Sequence, residues 1–183
     1  SKFIYGMLSN TIINEEFSWK KVDSHTYKRI TGKKIRDGNY ASDVINQHSS
    51  TWCGCCYMVA TLQMIQDRIH VLLGKQDYNT RMVPWVLFDL QSMLDHYQLF
   101  KGPFTIGWNA CKGGLPLNLL NCIEEEKCPF VFQTLDSVWM GYPQRLSSIK
   151  NTNMKIKIED SKRIIPTSRV QECILNDGPV VLS

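Results

Sequence analysis

The chain has 183 residues, of which 43% are hydrophobic, and it carries a formal net charge of +4 at pH 7. This length suffices for one buried core, and the lysines and arginines are scattered rather than gathered in a stripe, which argues against a nucleic-acid-binding protein. No apolar run approaches the roughly 18 residues of a membrane helix, so we expect no membrane span. The seven cysteines are an odd number, so at least one thiol stays free if the others pair. The cysteine count alone does not decide the redox compartment.

The first 30 residues contain a cluster of apolar side chains but no periodicity that selects a helix or a strand. One interpretation of these residues is a packed N-terminal arm. The segment from Gly32 to Gly38 is basic and rich in turn-forming residues, which indicates a boundary there.

A polar loop and a long helix are predicted next. The helix is predicted from apolar residues that recur at steps of four and three, which places them on one helical face: Met58, Leu62, Ile65, Ile69 and Leu72. Cys56 lies in the first turn, where free backbone N–H groups and a partial positive charge favour a thiolate, so it is the candidate nucleophile. Gln47, on the preceding loop, has an amide that can donate to the oxyanion formed when a thiolate attacks a carbonyl.

Other interpretations of these cysteines stay open at this point. A buried cysteine is often only a small hydrophobic side chain. A zinc site would need a second Cys/His pair, and Cys122 and Cys128 are too far apart to make the usual one, so we expect no metal. A thioredoxin-like Cys-x-x-Cys site would need a buried apolar strand before it, whereas residues 46–51 are polar.

Two prolines mark further helices. Pro84 suits the first turn of one helix, and Pro116 suits the first turn of another. Between them stands Cys111-Lys112-Gly113-Gly114. Glycines lack a Cβ atom, so this segment either lets another backbone approach closely or forms a plain turn.

The remainder of the chain is predicted to be rich in loops. Residues 154–158 alternate like a short strand, and Val170 to Leu175 is predicted to be a short helix. Asp177-Gly178-Pro179 ends that helix, and an apolar strand is predicted to start at Val180.

Several of these segments resemble papain-like cysteine peptidases, and in particular the cathepsin X branch. That family has a Gln, a short loop and Cys-Gly-Ser-Cys-Trp at the start of its central helix, with Cys-x-Gly-Gly further on. The matching segments here are Asn39-Tyr40-Ala41-Ser42, Asn46-Gln47-His48, Cys53-Gly54-Cys55-Cys56-Tyr57 and Cys111-Lys112-Gly113-Gly114. Like the cathepsin X branch, this chain has three additional residues between the Gln and the nucleophile.

The resemblance implies an α+β fold with two lobes, a helical lobe that contains the nucleophile helix and a β-barrel lobe. On this chain it implies a propeptide-like extension over residues 1–30 and a helical lobe over 31–130. Residues 131–183 would be the incomplete start of the barrel lobe. The resemblance also implies a lysosomal or secreted enzyme without a cofactor.

The site implied by the resemblance hydrolyses peptide bonds through a thioester. Cys56 would attack the carbonyl, while Gln47 and the Cys56 backbone N–H would hold the oxyanion. Gly113 and Gly114 would bind the substrate backbone in extended form. His48 stands where the cathepsin X branch has a histidine that binds the free C-terminal carboxylate, which implies a carboxypeptidase.

The family pattern also carries expectations for pairing. Its cysteine three residues before the nucleophile pairs with the first cysteine of Cys-x-Gly-Gly, which implies a disulfide between Cys53 and Cys111 in an oxidising compartment. His96 stands where the family has another cysteine, so the corresponding second disulfide is not expected. We expect His96 to be structural rather than catalytic.

The catalytic set is not complete in these residues. The family's base His and its Asn lie roughly 130–150 residues after the nucleophile, which is past Ser183 when counted from Cys56. The chain also begins at Ser1 without an initiator Met, so we expect a processed or partial chain that is inactive by itself. The alternative to a peptidase acting on peptides or proteins is a non-enzymatic structural component of a larger assembly, such as the particle of a large DNA virus.

Overall fold

The structure is a computed structural model that describes residues 17–48, 52–79, 87–101, 109–141, 156–158 and 169–181. The predictions for residues 1–16, for Pro84 and for residues 154–155 fall outside these ranges. Within them the chain forms five α-helices: α1 Ser24–Thr31, α2 Cys56–Gln76, α3 Leu90–Lys101, α4 Pro116–Glu124 and α5 Val170–Asp177. None of these helices is long and apolar enough to cross a membrane.

The predicted two-lobed α+β fold is wrong for the described part of the chain. Of the described residues, 48% are helical and 5% have strand-type pairing. They contain no sheet or barrel. Backbone pairing outside the helices is limited to isolated bridges at Val22–Gly38, Gly54–Lys112 and Phe88–Phe132. Residues 156–158 and 180–181, where strands were predicted, are not in strands. Alternating apolar residues do not make a strand unless neighbouring segments accept and donate its backbone hydrogen bonds.

The chain divides into two compact units by Cα proximity. Unit 1 comprises residues 1–43, 64–85 and 164–180, and unit 2 comprises residues 44–63, 86–163 and 181–183. The division within α2 falls after Gln63. The sequence-based boundaries at residues 30 and 130 stay predictions.

An aromatic cluster forms the core of unit 1. Trp19 lies 5.8 Å from Tyr27 and 5.6 Å from Tyr40 between ring centroids. The Trp19 Nε1–H donates to the Ile174 carbonyl at 2.7 Å, and the Tyr27 hydroxyl donates to the Leu175 carbonyl at 3.2 Å. Trp19, before α1, and Tyr27, in α1, therefore both bond to α5. Burial raises the pKa values of Tyr27 and Tyr40 to about 12.

Local signals explain where α1 begins and ends. The Asp23 carboxylate accepts from the Thr26 N–H at 2.8 Å, which satisfies one of the free donors of the first turn. Gly32 follows the last turn with φ of 73°, and its N–H donates to the Lys28 carbonyl. A left-handed residue at this place favours glycine.

The long helix α2 is buried more widely than its apolar pattern predicts. Met58, Leu62 and Ile65 are buried as predicted, but Leu72 is 58% exposed. Several polar side chains of α2 are buried instead: Thr61, Gln66, Asp67 and His70. Periodicity alone missed them because a polar side chain can be buried when it is hydrogen-bonded inside the protein, as Thr61 Oγ1 is when it donates to the Tyr57 carbonyl at 2.6 Å.

Unit 2 contains α3 and α4 and the segments that carry the predicted site. Helix α3 begins at Leu90, where the Asp89 carboxylate accepts from the Ser92 N–H at 3.0 Å. Helix α4 begins at Pro116, as predicted. The Val131 N–H donates to the Met93 sulfur at 3.1 Å and thus ties the segment after α4 to α3.

Candidate active site

A disulfide joins the segment before α2 to the glycine segment, which confirms the expected pair. Cys53 and Cys111 are bonded, with their Cα atoms 4.5 Å apart. The adjacent backbones are also paired, since the Gly54 N–H donates to the Cys111 carbonyl at 2.7 Å and the Gly113 N–H donates to the Gly54 carbonyl at 3.1 Å. The covalent bond and the short parallel bridge hold residues 53–54 against residues 111–113.

Two glycines at this junction are required by close packing. A Cβ atom on Gly54 would lie 2.7 Å from the Cys111 carbonyl oxygen. A Cβ atom on Gly114 would lie 2.7 Å from the Tyr57 ring. Gly113 has open space around it but adopts φ of 92°, which side-chain-bearing residues rarely adopt. The Gly-Gly pair therefore allows this segment to lie directly on the start of α2.

Cys55 and Cys56 have opposite environments although they are adjacent. Cys56 is the first residue of α2, and it is free and exposed. Cys55 is 0% exposed, and burial raises its pKa to about 11, so it remains a thiol at neutral pH. Of these two cysteines, only Cys56 is both accessible and located in the first turn of the helix.

Tyr57 packs against the glycine segment. The sequence analysis did not predict it as a site residue. It is 5% exposed, and its hydroxyl donates to the Ala110 carbonyl at 3.0 Å while its ring contacts Gly114. The Gln98 side-chain oxygen accepts from the Ala110 N–H at 2.8 Å. Only its place directly after Cys56 marked Tyr57 in the sequence, and only the packing reveals its contacts.

Two neighbouring residues, Cys53 and Trp52, fix the position of the His48 ring. Its Nδ1 accepts from the Cys53 backbone N–H at 3.2 Å, and its ring stacks on Trp52 at 6.0 Å between centroids. A backbone N–H only donates, so Nδ1 carries no proton and the ring proton is on Nε2. In this tautomer the His48 Nε2–H is available as a donor.

Gln47 takes its orientation from His48. The Gln47 Nε2 atom lies 3.2 Å from the His48 Nε2 atom. Two N–H groups cannot form a hydrogen bond with each other. Because amide oxygen and nitrogen exchange places by a half-turn, the bond requires the oxygen to face His48. The Gln47 NH₂ group is then directed away from His48 and is available to donate. The Trp139 Nε1–H donates to the backbone carbonyl of Gln47 at 3.1 Å. The sequence analysis did not predict this contact.

His96 is buried on α3, and burial lowers its pKa, partly offset by the Asp89 charge. No hydrogen bond joins a histidine to Cys56 among the residues that the structure describes. The same residues contain no group of three or more His, Cys, Asp or Glu side chains that could hold a metal ion.

Comparison with known proteins provides no family assignment. No protein family matches this chain, and no curated protein matches it. The site therefore has to be interpreted from its own geometry.

Proposed function

We propose that the protein is a cysteine-type peptidase that hydrolyses peptide bonds through a thioester at Cys56. The observation that carries this proposal is the contrast between the exposed Cys56 at the start of α2 and the buried, protonated Cys55 beside it. A structural pair of cysteines would have no need of an accessible thiol in a helix N-terminal turn. Reactive cysteines are accessible, and a helix N-terminus is one of the environments that activates them.

The chemistry proposed for Cys56 is acyl transfer. The thiolate sulfur bonds to the substrate carbonyl carbon, and the negative charge moves to the carbonyl oxygen. The Gln47 NH₂ group and the Cys56 backbone N–H donate to that oxyanion. The peptide C–N bond then breaks, the amine leaves with a proton, and water hydrolyses the thioester. A base must deliver and remove these protons, and the family resemblance assigns this role to a histidine.

The substrate backbone is proposed to bind along Gly113 and Gly114. Gly114 and Leu115 are exposed, and the disulfide and the Gly54 bridge fix the segment on the other side. The absence of side chains lets an extended peptide approach its backbone hydrogen-bonding groups.

His48 supports a more specific proposal, that the enzyme removes residues from substrate C-termini. The Cys53 N–H fixes the tautomer in which Nε2–H donates, and the ring is exposed. A C-terminal carboxylate accepts such a bond more strongly than the neutral Gln47 amide does, because the acceptor is charged. Trp52, which is 70% exposed, holds the plane of the ring by stacking.

The test of the peptidase proposal combines thiol labelling with turnover. The protein as isolated from its source is incubated with a peptide epoxide, digested and mapped, and its cleavage of fluorogenic peptides is measured. We expect the label on Cys56 and loss of both label and cleavage in Cys56→Ala, with Cys55→Ala as the matched control that keeps the label. Labelling of Cys55 instead would contradict the assignment.

The test of the exopeptidase proposal compares a peptide with its C-terminally amidated twin. Carboxypeptidase action predicts that amidation strongly lowers kcat/KM, and that His48→Ala removes most of this difference. Equal cleavage of the two peptides by the wild-type protein would show that His48 does not bind the chain end.

A second candidate is a non-enzymatic structural component of a larger assembly. It is favoured by the lack of a histidine hydrogen-bonded to Cys56 within the described ranges. If the epoxide labels Cys56 but the protein cleaves no peptide, the result favours this candidate.

A further inference from the structure

We propose that Cys122 and Cys128 form a second, reversible disulfide, which makes the C-terminal end of α4 a redox-sensitive site. This inference goes beyond the peptidase proposal and does not depend on Cys56. It rests on the way the chain turns back at the end of α4 and on the contact between the two thiols.

The turn after α4 brings the two cysteines together. Glu126 adopts φ of 57°, the left-handed conformation that reverses the chain after a helix. The Glu126 N–H donates to the Ile123 carbonyl at 3.0 Å, and the Lys127 N–H donates to the Cys122 carbonyl at 3.0 Å. These are the two hydrogen bonds of a Schellman motif. The Cys128 N–H also donates to the Cys122 carbonyl, at 3.2 Å.

The side chains complete this contact in the interior. Cys122 is 2% exposed and Cys128 is 0% exposed, and the Cys128 thiol is hydrogen-bonded to Cys122. In the described structure both are free. Because the Cys128 N–H donates to the Cys122 carbonyl, the two backbones are already adjacent, as a disulfide between these residues requires.

The two thiols differ in a way that defines the order of reaction. The hydrogen bond from Cys128 lowers the pKa of Cys122 against the opposing effect of burial, and the charges of Lys101 and Lys127 act in the same direction as the hydrogen bond. The hydrogen bond to Cys122 and burial both raise the pKa of Cys128. Cys122 is therefore the attacking thiolate and Cys128 the resolving thiol.

The oxidant in this proposal is a low-molecular-mass disulfide such as glutathione disulfide. The Cys122 thiolate attacks one of its sulfurs, which forms a mixed disulfide and releases one glutathione thiolate. Cys128 gives its proton to that thiolate or to water and attacks the Cys122 sulfur, which releases the second glutathione. Two protein thiols are oxidised and one glutathione disulfide is reduced to two thiols.

Access to the buried thiols is through the exposed turn. Glu125, Glu126 and Lys127 are exposed, and local opening of this turn uncovers Cys122 without unfolding the core. An oxidising compartment that closes Cys53–Cys111 also supplies the oxidant for this pair. Oxidation would then fix the end of α4 to the segment that follows it.

The sequence allows a direct test, because trypsin cleaves after Lys127, between the two cysteines. The digest gives peptides 113–127 and 128–145, each with one cysteine, so only a disulfide can hold them together. The folded protein is equilibrated in glutathione buffers of increasing disulfide content, quenched with acid, alkylated and digested without reduction. We expect the linked fraction to rise from about one tenth to about nine tenths and to return after treatment with dithiothreitol.

The controls separate this pair from the other cysteines. Cys122→Ser must abolish the linked species and leave Cys128 open to alkylation, whereas Cys173→Ser, at a half-buried free cysteine, must leave it unchanged. Alkylation of both Cys122 and Cys128 at every glutathione ratio that keeps Cys53–Cys111 closed would overturn the proposal. Linkage of either residue to Cys173 or Cys55 would overturn it as well.

Discussion

At the scale of single residues, Tyr57 shows how one side chain can position the glycine segment. Its hydroxyl holds the Ala110 carbonyl and its ring fills the space that the missing Cβ atom of Gly114 leaves. Burial keeps the hydroxyl protonated, because it raises the pKa of Tyr57 far above its ordinary value. The donor role of Tyr57 is therefore independent of pH in any physiological compartment.

The variant Tyr57→Phe isolates this hydrogen bond. It leaves the ring in contact with Gly114 but removes the donor from the Ala110 carbonyl, so we expect a loss of about 1 to 2 kcal/mol in the free energy of unfolding. Urea denaturation with the disulfide intact measures this loss. Tyr78→Phe, at an exposed hydroxyl near Lys34, is the control and should change stability by less than about 0.5 kcal/mol. An unchanged midpoint for Tyr57→Phe would show that water replaces the tyrosine hydroxyl.

At the scale of elements, the start of α2 and the glycine segment behave as one structure because three links join them. The links are the Cys53–Cys111 bond and the two backbone hydrogen bonds between Gly54 and residues 111–113. The two backbones lie so close that a Cβ atom on Gly54 would be 2.7 Å from the Cys111 carbonyl oxygen, so we expect the three links to be coupled.

The variant Gly54→Ala tests this coupling. The new methyl group would collide with the Cys111 carbonyl oxygen, a backbone atom that cannot rotate away, so we expect the bridge to open at a cost of about 1 to 3 kcal/mol. Dithiothreitol should then reduce Cys53–Cys111 faster than in the wild-type protein. Gly32→Ala, which strains a left-handed residue after α1 but meets no atom within 4 Å, should lower stability without changing the reduction rate. Equal reduction rates in wild type and Gly54→Ala would refute the coupling.

At the scale of the whole molecule, the charge state of one buried carboxylate on α2 links stability to pH. Asp67 is 7% exposed and accepts from the Ser42 N–H at 2.9 Å and from the Ser42 hydroxyl. Burial raises its pKa to about 6 from 3.8, and the hydrogen bonds from Ser42 only partly oppose this effect. The folded protein therefore binds this proton more tightly than the unfolded chain does.

The sign of the pH dependence follows from that difference. Between pH 3.8 and about 6 the folded state holds more protons at Asp67 than the unfolded state, so this group's contribution to stability falls as pH rises and is lost above about pH 6. Asp67→Asn keeps an oxygen that can accept from Ser42 and removes the charge. We expect it to flatten the pH profile in this window and to raise stability above pH 6 by on the order of 1 kcal/mol.

Unfolding free energies measured from pH 4 to 8 decide this prediction. Asp77→Asn is the control, because that carboxylate is 59% exposed and lies 3.7 Å from Arg36. A pH profile of Asp67→Asn that runs parallel to that of the wild-type protein would mean that Asp67 is already ionised in the folded state throughout this range.

The features that the sequence by itself determined are those governed by near neighbours along the chain. Pro116 begins α4, Val170 begins α5, and Gly178 ends α5 with its N–H donating to the Ile174 carbonyl, because capping and proline geometry act within one turn. The disulfide between Cys53 and Cys111 was also foreseen, through the resemblance of short motifs rather than through any geometry. These signals are local, so distant parts of the chain do not alter them.

Only the tertiary structure decided which groups are covered, because burial depends on segments that are remote in sequence. It distinguished the buried Cys55 from the exposed Cys56, left Leu72 of the predicted apolar face in solvent, and brought Trp139 to the Gln47 carbonyl. It also left the predicted strand residues 156–158 and 180–181 outside any strand, so the expected sheet is absent from the described chain. A strand exists only where another backbone pairs with it, and no pattern within one segment specifies that partner.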